Sequence, residues 1–233
     1  MTKSESKGIG TENERSLHAS IKKAISQPGD LFEIKIGNYI VDILRGDHII
    51  EIQTTNFSSI KNKIRTLIIN HPVTLVYPIP LIRQITYVSS DGSVLSSRKS
   101  PRKGAPEDVF RELIRIPEII MDSNFSLEIL MIREEEIRCD DGRGSWRRKG
   151  VSIVDRKLLE IVESIRFEEP ACFKYFLPDE LETPFTNRIL ADRLNRSIYD
   201  IRKMTYCLKK MGVLTESGRQ GNEILMSSVF HFE

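Results

Sequence analysis

Three cysteines in 233 residues, Cys139, Cys172 and Cys207, are too few and too scattered for a disulfide framework or a zinc spacing. They are expected to be buried thiols in a reducing compartment. No apolar run approaches the ~20 residues that a membrane-spanning helix needs. The opening residues, MTKSESKGIGTENER, contain no apolar signal core, so a cytoplasmic protein without a membrane partner is expected. An excess of one charge is missing too: 35 Lys+Arg face 33 Asp+Glu. Residues 1–80 hold 10 basic and 8 acidic side chains, residues 81–150 hold 13 and 12, and residues 151–233 hold 12 and 13. No segment attracts a polyanion in bulk, so any nucleic-acid surface must come from local clustering. Internal repeats, low-complexity tracts and the P-loop, HExxH and G-x-S-x-G motifs are absent. The DGRGS run at 141–145 lacks the strand-to-helix setting of a phosphate loop.

With 39% hydrophobic and 29% charged residues, the composition is that of a folded chain of one large or two modest domains. Glu14, Leu17, His18, Ile21 and Ile25 recur at helical spacing, and Pro28-Gly29 ends that pattern. Three strand-like runs follow, Leu31–Ile36, Tyr39–Arg45 and His48–Gln53, separated by Gly37-Asn38 and Gly46-Asp47, both hairpin dipeptides. Ile60, Ile64, Leu67 and Ile68 make the stripe of a helix over 58–70, and Val73–Tyr77 reads as a short buried strand. The first 80 residues therefore predict α-β-β-β-α-β. Beyond them come a hairpin over 84–97, a basic loop over 98–104, a helix over 106–121 broken at Pro117, and a strand over 125–133. A domain boundary is placed at residue 150. After it, helices are expected over 155–165, with Leu158, Leu159 and Val162 inward, over 187–194 with Thr186 as cap, and over 198–211. Two short strands flank Gly218–Gly221. That order is the one of a winged helix-turn-helix.

The acidic hairpin is the most informative segment. A two-residue turn at Gly46-Asp47 pairs Arg45 with His48, Leu44 with Ile49, Ile43 with Ile50 and Asp42 with Glu51. Directly opposed residues have Cβ atoms roughly 4.5–5.5 Å apart, so two carboxylates repel across the strands. Ile40, Leu44 and Ile49 share their face and make it look covered. A divalent cation between the acids would relieve the cost, and Mg²⁺ or Mn²⁺ is the usual occupant of such oxygen donors. Gln53 projects on the same face, and Glu14 sits on the apolar stripe of the first helix.

In these residues the chain resembles the PD-(D/E)XK nuclease superfamily, which includes restriction endonucleases and Holliday junction resolvases. The resemblance spans roughly residues 11–80. It implies a restriction-endonuclease-like α-β-β-β-α-β core. It also implies that Asp42, Glu51 and the Ile52 carbonyl hold the metal for phosphodiester hydrolysis, with Glu14 as the first-helix acid. Gln53 stands where the family usually has Lys. A neutral amide orients water but supplies no charge. Lys35, Lys61 and Lys63 are candidates to replace it, and helix spacing favours Lys61. The alternative is a nuclease fold that has lost activity and binds DNA or regulates through its winged helix.

Two basic clusters are candidate phosphate contacts: Arg98, Lys99, Arg102 and Lys103, and then Arg147 and Arg148 beside Trp146, which is placed either on a base or in the seam between domains. In the C-terminal segment Arg202 and Lys203 begin the third helix, where a recognition helix presents polar side chains. The expectation is a two-domain α/β protein, with a nuclease-like domain at 1–150 and a small α+β winged helix at 151–233. Its partner would be DNA, and double-strand cutting would favour a homodimer.

Overall fold

The computed structural model describes residues 10–229, with side chains from Ser16 onward. It is a mixed α/β protein. Helix α1 (Gly10–Ile25) precedes strands β1 (Leu31–Ile36), β2 (Tyr39–Arg45) and β3 (His48–Ile52), then α2 (Phe57–Leu67) and β4 (Val73–Val88). β5 (Val94–Lys99), a short α3 (Phe110–Leu113), β6 (Phe125–Asp140) and β7 (Val151–Phe167) follow. The chain ends with α4 (Asn187–Arg193), α5 (Ile198–Lys210), β8 (Leu214–Gln220) and β9 (Glu223–Ser228). Strands lie in the order β1-β2-β3-β4-β6-β7, with β5 also on β4, while β8 and β9 form a separate hairpin. β1, β2 and β3 are antiparallel, and β4 runs parallel to β3. No helix among the described residues is long and apolar enough to cross a membrane.

Contacts divide the chain into two compact units. Among the described residues, one gathers 10–30, 78–105 and 130–164; the other gathers 31–77, 106–129 and 165–229. In the second unit, Val41, Ile43, Ile49, Phe57, Ile64 and Leu75 are fully buried. Phe167, Phe173 and Phe176 cluster with Phe110, whose ring centroid is 4.7 Å from that of Phe176. Asn56 sits in the left-handed region and its side chain makes no cap bond, and the first turn of α2 is instead met by Glu112, which accepts from the Phe57 N–H at 3.1 Å.

The structure differs from several expectations. The helix expected over 155–165 is strand β7, and Leu159 and Val162, expected inward, are 58% and 42% exposed. Val151, Ile153, Val154, Ile161, Val162 and Ile165 make this stretch rich in β-branched residues, and a neighbouring strand outweighs its weak helical stripe. Residue 150 lies in the turn between β6 and β7, which are neighbours in one sheet. The two strands expected over 73–77 and 84–88 are one, running through Pro78 and Pro80. The Pro72 and Val76 carbonyls accept from β3, so Pro78 and Pro80, in step with them, face the same side. On that side β4 pairs with β3 up to Val76 and with β5 from Gln84, and the missing N–H groups fall in the gap. The face of Asp42 is not covered throughout: Ile49 is buried, but Ile40 is 57% exposed. Cys139 and Cys207 are buried, Cys172 only partly.

Candidate functional site

The hairpin forms in the expected register, Arg45 with His48, Leu44 with Ile49 and Ile43 with Ile50. Gly46 takes a φ of +63° while Asp47 stays outside the left-handed region, the signature of a II′ turn. Beyond Ile43 and Ile50 side chains replace the backbone ladder. The Asp42 N–H donates to Glu51 Oε1 at 3.2 Å, and the Ile52 N–H donates to Asp42 Oδ2 at 2.8 Å. Each acid thus holds the backbone of the other strand. The strands part where the carboxylates need room, and among the described residues no buried side-chain nitrogen or oxygen lacks a partner.

Glu51 is 4% exposed and Asp42 half-buried. Burial, then the Asp42 charge, push the Glu51 carboxyl up to about 7, against the pull of Lys63. Lys63 Nζ, from α2, lies 2.5 Å from Glu51 Oε2 and donates to the Ile40 carbonyl at 2.6 Å. Lys61 points elsewhere and pairs with Glu118 at 3.5 Å. The lysine brought to the acids is therefore Lys63, not Lys61. Lys35 is exposed on β1. Gln53 spends its amide N–H groups on the Thr55 carbonyl, the Asn56 carbonyl at 3.4 Å and Ser59 Oγ at 3.3 Å, fastening the loop into α2. Glu14 lies in α1, but its side chain is outside the described residues. His18 is half-buried on α1. Among the described residues no three His, Cys, Asp or Glu side chains group closely enough to hold a metal alone. A cation here would combine Asp42 and Glu51 with the Ile52 carbonyl and water.

The basic candidates are mostly exposed. Arg98 and Lys99 end β5 rather than sitting in a loop, and Arg102 and Lys103 follow on the loop. Arg147 and Arg148 lie in the β6–β7 turn. Trp146, on the same turn, is 83% exposed, with the Arg147 guanidinium 5.6 Å from its ring centroid, so it is not packed in a seam. Gly144 shapes this turn, because a Cβ there would fall 1.8 Å from the Val151 carbonyl oxygen. On α5, Arg202 is exposed, and Lys203 Nζ sits 4.2 Å over the Tyr199 ring. Lys210 repeats that contact at 5.9 Å over Tyr206, one heptad on. The far side of α5 is tied down: Arg111 forks onto Asp200 with two bonds of 2.9 Å. The heptad repeat of Tyr-x-x-x-Lys was legible in YDIRKMTYCLKK and is a signal the sequence reading passed over.

A protein of Treponema pallidum (strain Nichols), described as an uncharacterized protein, is 35% identical over 160 residues. The match covers 68% of this chain and 64% of that protein's own length. No solved structure matches. The sequence pattern of the family described as Domain of unknown function (DUF8091) matches residues 15–168, which include the acidic hairpin, Lys63 and every strand from β1 to β7. The chain therefore belongs to the DUF8091 family.

Proposed function

We propose that the protein is a divalent-metal-dependent nuclease of the PD-(D/E)XK kind, hydrolysing phosphodiester bonds in DNA. The observation that carries this reading is the reciprocal clasp of Asp42 and Glu51 with Lys63 on the Glu51 carboxylate. The order α1-β1-β2-β3-α2-β4, with β4 parallel to β3, supports a restriction-endonuclease-like core. The donor set suits Mg²⁺ or Mn²⁺: two hard carboxylates are held together, the Ile52 backbone is tied to one of them, and burial together with like charge already lifts Glu51. Bound there, the metal would acidify a water and counter charge on the phosphate.

The chain's own residues have separable roles. Asp42 and Glu51 orient each other through the opposite backbone. Lys63 draws Glu51 toward ionisation, against burial and the Asp42 charge, and brings a positive charge to the position that Gln53 cannot supply. Gln53 positions the loop that launches α2. The α4–α5–β8–β9 order supports a winged-helix reading of the C-terminal segment, with the 3-10 turn at Pro170–Phe176 in place of its first helix. In that reading Tyr199, Arg202 and Lys203 form the face offered to DNA, and a homodimer would cut both strands.

The test is incubation of the intact protein with Mn²⁺ or Mg²⁺ and linear, single-stranded and branched DNA and RNA, beside Asp42→Ala. Cleavage that disappears in the variant supports the nuclease. Binding without cleavage would pass the case to the second reading, a non-catalytic DNA-binding protein acting through its winged helix. The observation favouring that reading is Gln53, an amide committed to the α2 loop where the family has its charge.

A further inference from the structure

A second charged cluster lies in the unit containing residues 78–105 and 130–164. Alternation along β6 sends Glu134, Glu136 and Arg138 to one face. There Glu134 and Glu136 are 2% and 1% exposed. Arg83, from β4, donates through Nε to Glu134 at 2.5 Å and places Nη1 3.5 Å from Glu136. Arg138 forks onto Glu136 Oε1 through Nε at 2.7 Å and Nη2 at 2.5 Å. Arg156, from β7, donates to the other Glu136 oxygen at 3.2 Å. Burial alone would raise the Glu136 carboxyl, yet the arginines, Arg83 foremost, hold it below its ordinary value. A hydrogen bond from Arg138, with a second from Arg98, draws the Tyr87 phenol down as well.

Buried ion networks seldom add stability over apolar residues of the same size. Glu134 and Glu136 bear two negative charges against the three arginines that pair with them, Arg83, Arg138 and Arg156, so the ion-paired cluster is left with one positive charge. The Arg83, Arg138 and Arg156 side chains stay 27%, 17% and 24% exposed. Each guanidinium carries five N–H donors, and the glutamates engage at most two on each. The acids therefore fix three guanidinium groups on three neighbouring strands and leave N–H donors on each uncommitted to a glutamate, Arg138 also reaching Tyr87. Over the described residues this unit carries 16 basic and 12 acidic side chains, whereas the other carries 17 and 19. We propose that this face is a preformed phosphate-binding site for a nucleic-acid strand, built from Arg83, Arg138 and Arg156. It stands whether or not the acidic hairpin cuts.

The test uses the full chain in EDTA, so that nothing is cleaved. Labelled single-stranded and duplex oligonucleotides are titrated by anisotropy, beside inorganic phosphate as competitor. Arg138→Gln and Arg156→Gln should each weaken oligonucleotide binding about tenfold, the loss of one charge-assisted contact, and lower the salt slope by about 1. Arg133→Gln, on the other face of β6, should change neither. Should a variant fail to fold, arginine labelling of the wild type decides: an oligonucleotide should shield Arg138 and Arg156 and leave Arg133 reactive. Unchanged affinity in folded variants, no shielding, or inorganic phosphate competing as well per phosphate as the strand would each overturn the proposal.

Discussion

Lys63 Nζ stands 2.5 Å from Glu51 Oε2, although the two side chains come from different elements, a helix and the strand before it. The charge that Gln53 lacks is thus delivered from α2. Lys63→Ala should reduce metal-dependent DNA cleavage by about 10²–10³-fold, the usual cost of one electrostatic group aimed at a transition state. Lys61→Ala should stay within about threefold of wild type, because Lys61 serves Glu118. Single-turnover cleavage rates check both. Equal losses in the two variants would remove the role given to Lys63.

Why the sequence could not choose between these lysines is a matter of geometry. At 100° per residue, Lys61 and Lys63 flank the apolar stripe of Phe57, Ile60, Ile64 and Leu67 by about 80° on opposite sides. Periodicity says both border the buried face; which border meets Glu51 depends on how α2 lies on the sheet. The hairpin register was legible because Gly46-Asp47 fixes it locally. β7 was not, because its β-branched residues and its leucines support different periods, and its partner strand is set by tertiary structure. Arg83, Glu136 and Arg156 come from three strands and converge only in the sheet, so no local pattern announces them.

The Glu51 carboxyl, pushed up to about 7, makes its own ionisation a cost to folding. Between its ordinary value and 7 the folded state holds a proton that the unfolded chain has released, so this group's contribution declines as pH rises. Glu51→Gln should gain on wild type across pH 4.5 to 8 by up to about 3 kcal/mol, while cleavage is lost. Urea unfolding at a series of pH values checks this. A stability difference independent of pH would contradict it.

A cation between Asp42 and Glu51 would reverse that cost. Mn²⁺ at about a hundredfold over its dissociation constant should stabilise the wild type by about 2.7 kcal/mol. Asp42→Ala should abolish the shift, and Lys63→Ala should keep it, since Lys63 neutralises Glu51 without being a ligand. Thermal melts with and without Mn²⁺ read all three. A wild-type melting temperature indifferent to Mn²⁺ would sink the metal site while leaving the arginine face of β6 untouched.

His48 works in the opposite sense to Glu51, one strand register away. Its Nε2 meets Thr74 Oγ1 at 2.7 Å, and Thr74 meets Ser126 Oγ at 2.7 Å, a polar chain across β3, β4 and β6 in which Thr74 and Ser126 are buried. Burial first, then Arg166 and Arg45, hold the imidazole below its ordinary value, against Asp47 and Glu128. The unfolded chain therefore takes up a proton before the folded one does, and this contribution is full above about pH 6.5 and lost as pH falls. His48→Gln keeps a partner for Thr74 and cannot titrate. Its stability relative to wild type should rise as pH drops from 7 to 5, opposite in direction to the trend for Glu51→Gln, which improves toward alkaline pH. Unfolding of both variants over the same pH series separates the two groups, and a His48→Gln difference that is flat or reversed would show that the buried chain does not govern acid stability.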